Sequence, residues 1–298
     1  VNIAKQATVT EASGTSTGGK TSIGTTAVNV DTFDTTSFDS AFYQMVTLDE
    51  INNEIGTQTV SLVHNDTAAF TSTGGIVRSG SNTQVAFDAD ISGSTVRLRG
   101  TGTADVNSVK FFRIGLGDNS SASSSGNTAT VINTDVDSAV ENLDTWSASS
   151  YRGAKYYISA NNSTKTELNN IECLVVHNGT DAFITVFNDT FTGSNALISL
   201  SADIDSGSVR LRASGNEPNT AVKMYRILLG DSESDATSDN TKTVGQVTVS
   251  SSSTAFDTFS TDSYNGAHYV IVGNSSSESA ASISAVSYTH LRAHETPL

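Results

Sequence analysis

The chain has 298 residues, 36% of them apolar and 7% aromatic, with 31 acidic against 16 basic side chains and a formal net charge of −15. That charge sets nucleic acid aside as a partner, because phosphate repulsion opposes contact, and it disfavours an anionic membrane surface for the same reason. No apolar run approaches the roughly 20 residues that span a bilayer, and the composition suits small β domains with polar outer faces.

In chain order, residues 1–20 read as the connector of a preceding unit. From Thr21, TSIGTTAVNV alternates as an opening strand, followed by DTF at Asp31. VHNDTAAF at Val63 to Phe70 places an apolar strand before a turn of Asn and Asp. Farther on, the turn residues Ser92-Gly93-Ser94 lead into VRLR at Val96 to Arg99, and VKFFRIGLGD from Val109 closes the unit. The polar stretch 119–127 reads as a linker, flexible by composition.

The whole pattern then returns. DTW stands at Asp144, VHNGTDAF at Val176 to Phe183 and VRLR at Val209 to Arg212, each 113 residues after its first occurrence. Here AKYYISA from Ala154, IECLVVHN from Ile171 and DAFITVFN from Asp181 read as strands, the last two joined through Asn178-Gly179, whose positive φ angles suit a hairpin. ALISLSADI from Ala196 and SVRLRAS from Ser208 flank the turn residues Asp205-Ser206-Gly207. A period of two sends Val209 and Leu211 to the core and Arg210 and Arg212 to solvent or a neighbour. AVKMYRILLG from Ala221 is expected to place Val222, Met224 and Ile227 inward around an irregularity.

A second linker, 232–240, precedes a third unit that matches through STAFDTFSTDSYNGAHYVIVG and stops near Val286. The last segment, SYTHLRAHETPL, resembles translated adapter DNA at the ends of high-throughput assemblies, so 287–298 reads as non-biological. His290 falls 113 residues after His177, but Leu291, Arg292 and Ala293 match nothing around it. A third unit lacking its remaining strands is expected to be poorly ordered in isolation, because its strand edges go unpaired.

The expectation is all-β: tandem β-sandwich domains, Ig-like or jelly-roll-like, two complete (21–118 and 128–231) and one truncated (241–286). A partly open barrel is the rival, and strand order is not recoverable. A unit of roughly 90 ordered residues is long enough to bury its own core, unlike a solenoid repeat, so the units are expected as beads on a string.

No catalytic, cofactor-binding or metal-ligating residue is singled out. His64 and His177 have no second histidine at ligand spacing and read as structural groups that brace their turns. Asp90 and Asp203 read as turn caps. GDSESDATSDN from Gly230 alternates acids like a calcium loop, but Ala236 and Lys242 replace its required glycine and glutamate. Trp146, Tyr151 and Tyr157 could stack on sugars, yet aromatic replacements between copies favour core packing for Trp146 and Tyr151. Cys173, where the first copy has Val60, reads as a small buried hydrophobe. The Asn-x-Ser/Thr triplets at Asn65, Asn178 and Asn188 carry no weight in so polar a chain. Motifs for nucleophilic, zinc-protease and phosphate-binding chemistry are absent.

SYRGAKYYISA, LVVHNGTDAFIT, SADIDSGSVRLRAS and VKMYRILLGD together resemble a repeat of virion structural proteins in marine tailed phages, especially relatives of the T4-like cyanophages. The resemblance covers residues 28 to 286, and its most specific part runs from VVHNGT to VRLR. It implies a non-enzymatic component of a tail fibre or related appendage, located in the virion. Partners it implies are other virion proteins, copies of itself in a homo-oligomer (a trimer by family analogy), and a host surface receptor or glycan. A bacterial surface adhesin built on the same plan is the alternative, and a secreted carbohydrate-active β-sandwich a third reading, for which no paired carboxylates can be named.

Overall fold

Alternating Val, Thr, Ser and aromatic residues between Gly- and Asn-containing turns fold here as antiparallel strands throughout, with no helix among the described residues. The computed structural model describes residues 15–80, 85–103, 107–117, 123–125, 128–230, 236–238, 241–243, 249, 251–255, 257–258, 266–274 and 281–289.

The first unit comprises β1 (Thr15–Ile23), β2 (Val28–Asp34), β3 (Ser40–Asp49), β4 (Glu54–His64), β5 (Ala69–Arg78), β6 (Val85–Ser92), β7 (Thr95–Gly102) and β8 (Asn107–Leu116). They form a five-stranded sheet, β1-β8-β3-β4-β5, packed on a three-stranded sheet, β2-β7-β6. The second unit comprises β10 (Thr128–Val136), β11 (Glu141–Ser147), β12 (Gly153–Asn161), β13 (Leu168–His177), β14 (Ala182–Phe191), β15 (Ile198–Asp205), β16 (Ser208–Gly215) and β17 (Thr220–Leu229). Its three-stranded sheet, β11-β16-β15, and the β14-β13-β12-β17-β10 part of its six-stranded sheet repeat the first arrangement. Of the two sandwich forms expected, the pairing of β1 with β8 around that of β2 with β7 follows the jelly roll. Strands β4 and β5 depart from it by remaining in the sheet of β3.

Two expected boundaries move. Thr15–Lys20, expected as connector, belongs to β1 and pairs with Lys110–Ile114 and its neighbours on β8. Within the expected linker 119–127, β9 (Ser123–Ser125) pairs with β10. β18 (Ala236–Ser238), within the expected second linker, forms a small hairpin with β19 (Thr241–Thr243), at the start of the expected third unit. The rest of both linkers lies outside the described residues, as does Asp231, so Asp231 to Asp235 of the calcium-like segment are not among them.

Each sandwich has its own core. Val96 and Leu98 in the first, Val209 and Leu211 in the second, are wholly buried, while the intervening arginines are half-exposed, as the period of two requires. Trp146 and Cys173 lie in the second core with Val222, Met224 and Leu228, and Tyr151 packs partly buried against it. Ile227 does not join that core. Strand β17 pairs with β12 without a break from Ala221 to Leu229, so no irregularity turns Ile227 inward, and it packs on the outer face.

The turns follow from their residues. Ser206 (φ 51°) and Gly207 (φ 79°) make a two-residue hairpin with both central φ angles positive, as type I′ requires. Their first-unit counterpart has Gly93 at φ 64° as its single positive residue, the type II′ form.

The expectation of separate beads fails at the outer faces. β3, β4, β12 and β13 are buried along nearly their whole length on both sides, because the larger sheets of the two units pack against each other. From the third unit, β20 (Gly266–Asn274) and β21 (Ala281–Thr289) form a hairpin, with β21 lying against β4, β5 and β13. Ser287 to Thr289, expected as part of a non-biological tail, belong to β21; His290 and the rest lie outside the described residues.

Candidate functional site: the seam between the sandwiches

The polar residues that recur in both units turn out to be structural. His64 and His177 are each 1% exposed. His177 Nδ1 accepts a hydrogen bond from the Gly179 amide (3.0 Å), so Nε2 carries the proton and donates to the Tyr151 carbonyl at 2.7 Å. His64 repeats this with the Asp66 amide (3.3 Å) and the Phe38 carbonyl (2.5 Å). Both ring nitrogens are occupied, and each ring ties a hairpin turn to a loop 26 residues earlier. Asn65 and Asn178 complete the turns by accepting two backbone amides apiece.

Asp90 and Asp203 do not cap turns, contrary to expectation. They sit directly across from Arg97 and Arg210 in the strand ladder, and each forms a bidentate pair with that arginine. The distances are 2.6 and 2.6 Å for Asp90, 2.7 and 2.7 Å for Asp203, with Arg99 and Arg212 added at 3.1 and 3.0 Å. The arginine hydrogen bonds hold both carboxyls below their usual range.

A second recurring set lies inside the sandwich. Asp31 on β2 accepts from Tyr43 Oη on β3 (2.9 Å) and Arg113 Nη1 on β8 (2.8 Å), joining the two sheets. In the second unit Asp144 takes Tyr156 Oη at 2.9 Å and Arg226 Nη1 at 2.7 Å, and Trp146 Nε1 donates to the same phenol at 2.9 Å. The third unit retains Tyr269 on Asp257 at 2.8 Å. Burial, and then the carboxylate, push the Tyr43 and Tyr156 phenols far up, so each keeps its proton and donates. The DTF/DTW repeat was the sequence signal of this latch; its partners were hidden because they lie 12 and 82 residues away.

Between the units lies a seam that joins residues shared by both, such as Ile114 and Ile227, with residues found in one alone. Its apolar part is Phe42, Ile114, Leu116 and Tyr157, flanked by Phe112, Tyr225 and Ile227. Phe42 meets Tyr157 edge-on, with centroids 5.3 Å apart. Around this, Gln44 Nε2 donates to Tyr157 Oη at 2.5 Å, and Asn170 Nδ2 donates to Ser61 Oγ at 3.1 Å and the Leu62 carbonyl at 2.7 Å. Lys223 pairs with Asp39 at 3.3 Å. Tyr157, a candidate for sugar stacking or core packing, is 1% exposed and belongs to this seam.

The deepest charges in the seam are Lys155 on β12 and Glu172 on β13, with side chains 1% and 4% exposed, in direct contact through Nζ and Oε2. Nζ also lies 4.0 Å from the Phe187 ring centroid and 4.8 Å from that of Tyr157. Burial pushes the Lys155 ammonium down, while Glu172 works against that shift. His268 of β20 is pushed down to about 4, first by burial and then by the Lys155 charge. Phe42, Lys155 and His268 occupy one position of the 113-residue repeat, so the same register point is apolar, cationic and titratable in successive units. Burial also pushes the Cys173 thiol up to about 12, which keeps it an inert core group.

Among the described residues no group of three or more His, Cys, Asp or Glu is placed to hold a metal ion. No family model and no curated protein matches the chain.

Proposed function

We propose that this chain is a non-enzymatic structural protein of a tailed phage particle, a tail fibre or related appendage in which tandem β-sandwiches form a spacer or host-contacting shaft. The observation that carries the reading is the seam. The sandwiches meet through buried aromatics, hydrogen bonds and an ion pair, which supports a rigid array of packed domains better than flexible tethering does. The resemblance of residues 28 to 286 to marine phage virion repeats supports the same assignment, as do polar groups that recur as internal braces. On this reading the partners are other virion proteins and a host surface receptor or glycan, and the working form is a homo-oligomer.

The genes that flank the one encoding this chain test it. Tail, baseplate and terminase genes are the expected neighbours. A type I secretion cassette would overturn the assignment in favour of a bacterial surface adhesin.

A further inference from the structure

Three observations converge on one side chain of the second sandwich, Asn188. The first is its backbone. The pairing of β13 with β14 slips between Asn170 and Glu172, and the bulge this makes on β14 holds Asn188 at φ 50°. The matching bulge in the first sandwich, where β4 meets β5, has Gly75 at φ 58°. Glycine adopts that conformation without a Cβ penalty, so the asparagine is kept at a backbone cost that folding alone does not require.

The second observation is what its carboxamide meets. Asn188 Nδ2 donates to Glu172 Oε1 at 2.8 Å, while the other oxygen of that carboxylate holds Lys155 Nζ. Amine and carboxamide thus hang from the two oxygens of one buried carboxyl group. On its far side the carboxamide abuts the first sandwich, where a Cβ added to Gly74 would stand 2.7 Å from Asn188 Oδ1.

The third is that the set comes and goes as a whole. At the corresponding positions of the first sandwich stand Phe42, Thr59 and Gly75, so amine, carboxyl and carboxamide are all missing together. An ion pair retained only to balance charge would not need the asparagine.

We propose that Lys155 and Asn188 are the two halves of an intramolecular amide cross-link, with Glu172 as the acid–base group that forms it. In the first step the Lys155 ammonium gives a proton to Glu172, leaving a neutral amine and a carboxylic acid. Desolvation between Phe187 and Tyr157 favours that transfer, since it penalises both charges. The amine lone pair then attacks Asn188 Cγ, forming the N–C bond and a tetrahedral centre. Glu172 returns its proton to the Nδ2 it already contacts, the Cγ–Nδ2 bond breaks and ammonia leaves; the second Nζ proton passes through the same carboxyl to that ammonia, which departs as ammonium. The product is one secondary amide joining β12 to β14 across β13, with Glu172 restored as carboxylate; no oxidant, metal or cofactor enters the balance. Such a bond would fix the strands whose outer faces form the seam.

Intact-mass spectrometry of the folded, purified chain tests this, followed by peptide sequencing. The expected mass is lower than that of the translated sequence by one ammonia, with the peptides bearing Lys155 and Asn188 recovered as a joined pair. A succinimide at Asn188 has the same mass but leaves the peptides separate, and that result would overturn the proposal. Glu172→Gln should restore the full mass. Asn188→Gly should restore it too, and this variant keeps the fold because glycine already serves the matching bulge. Full mass in the folded native chain after prolonged incubation would also overturn the proposal, reducing the set to a buried ion pair with a hydrogen-bonded amide.

Discussion

Replacing Asp144 by Asn separates the worth of the inter-sheet latch from that of the surface arginine pairs. The substitution leaves shape and volume nearly unchanged, so no cavity term enters. It removes the charge that holds Arg226, whose side chain is 13% exposed against 7% for Asp144, and it turns an amide donor toward groups that themselves donate. Leaving one member of a buried pair uncompensated costs about 3–5 kcal/mol. The two sandwiches share a seam and form a unit of roughly 200 residues, in which each kcal/mol moves Tm by about 2–4 °C, so the expected fall is about 6–20 °C. Scanning calorimetry at neutral pH reads it. Two comparisons make the measurement diagnostic. Asp203→Asn, which breaks a pair with side chains 21% and 35% exposed, should lower Tm far less, because water and salt screen it. Asp144→Leu combined with Arg226→Met should recover much of the loss, since an apolar pair needs no charge compensation. A shift for Asp144→Asn no larger than that for Asp203→Asn would refute the reasoning, as would a double variant no better than the single one.

Two further outcomes follow from the geometry. His177→Asn removes a ring that reaches the Tyr151 carbonyl and the Gly179 amide at once; each orphaned group costs about 1–3 kcal/mol, which denaturant unfolding measures, and a metal ion held by the native chain but lost in the variant would contradict the bracing role. Phe42→Arg places an unpaired guanidinium at a seam position 2% exposed, at a cost of about 3–5 kcal/mol. Small-angle X-ray scattering should then show a larger radius of gyration while circular dichroism keeps its β signature, and an unchanged radius would mean that the seam does not hold the sandwiches together.

The seam was the part least legible in the sequence, for a reason visible in its residues. A period of two on β12 separates Ala154, Tyr156 and Ile158 from Lys155, Tyr157 and Ser159, and polar residues at the second set are what an exposed face carries. Asn170 is buried with partners on the other unit's sheet, Lys155 and Glu172 are buried with partners on their own, and no periodicity within the strand encodes the sheet that covers them. Asn188 was similarly opaque: its triplet with Thr190 looked incidental, and its meaning depends on a bulge that brings it to Glu172.

Sequence by itself determined the strands, the alternation of the VRLR segments, the turn residues and the bracing role of the two histidines. These are local matters: side-chain period, turn chemistry and the hydrogen-bonding capacity of a single residue. Tertiary structure alone decided the order β1-β8-β3-β4-β5, the pairing of Asp31 with Arg113 and Asp144 with Arg226, and the outward placement of Ile227. It also decided that the sandwiches pack together. Each of these depends on which distant surface comes to lie opposite a given residue, and burial, which sets the cost of every charge involved, is a property of that meeting.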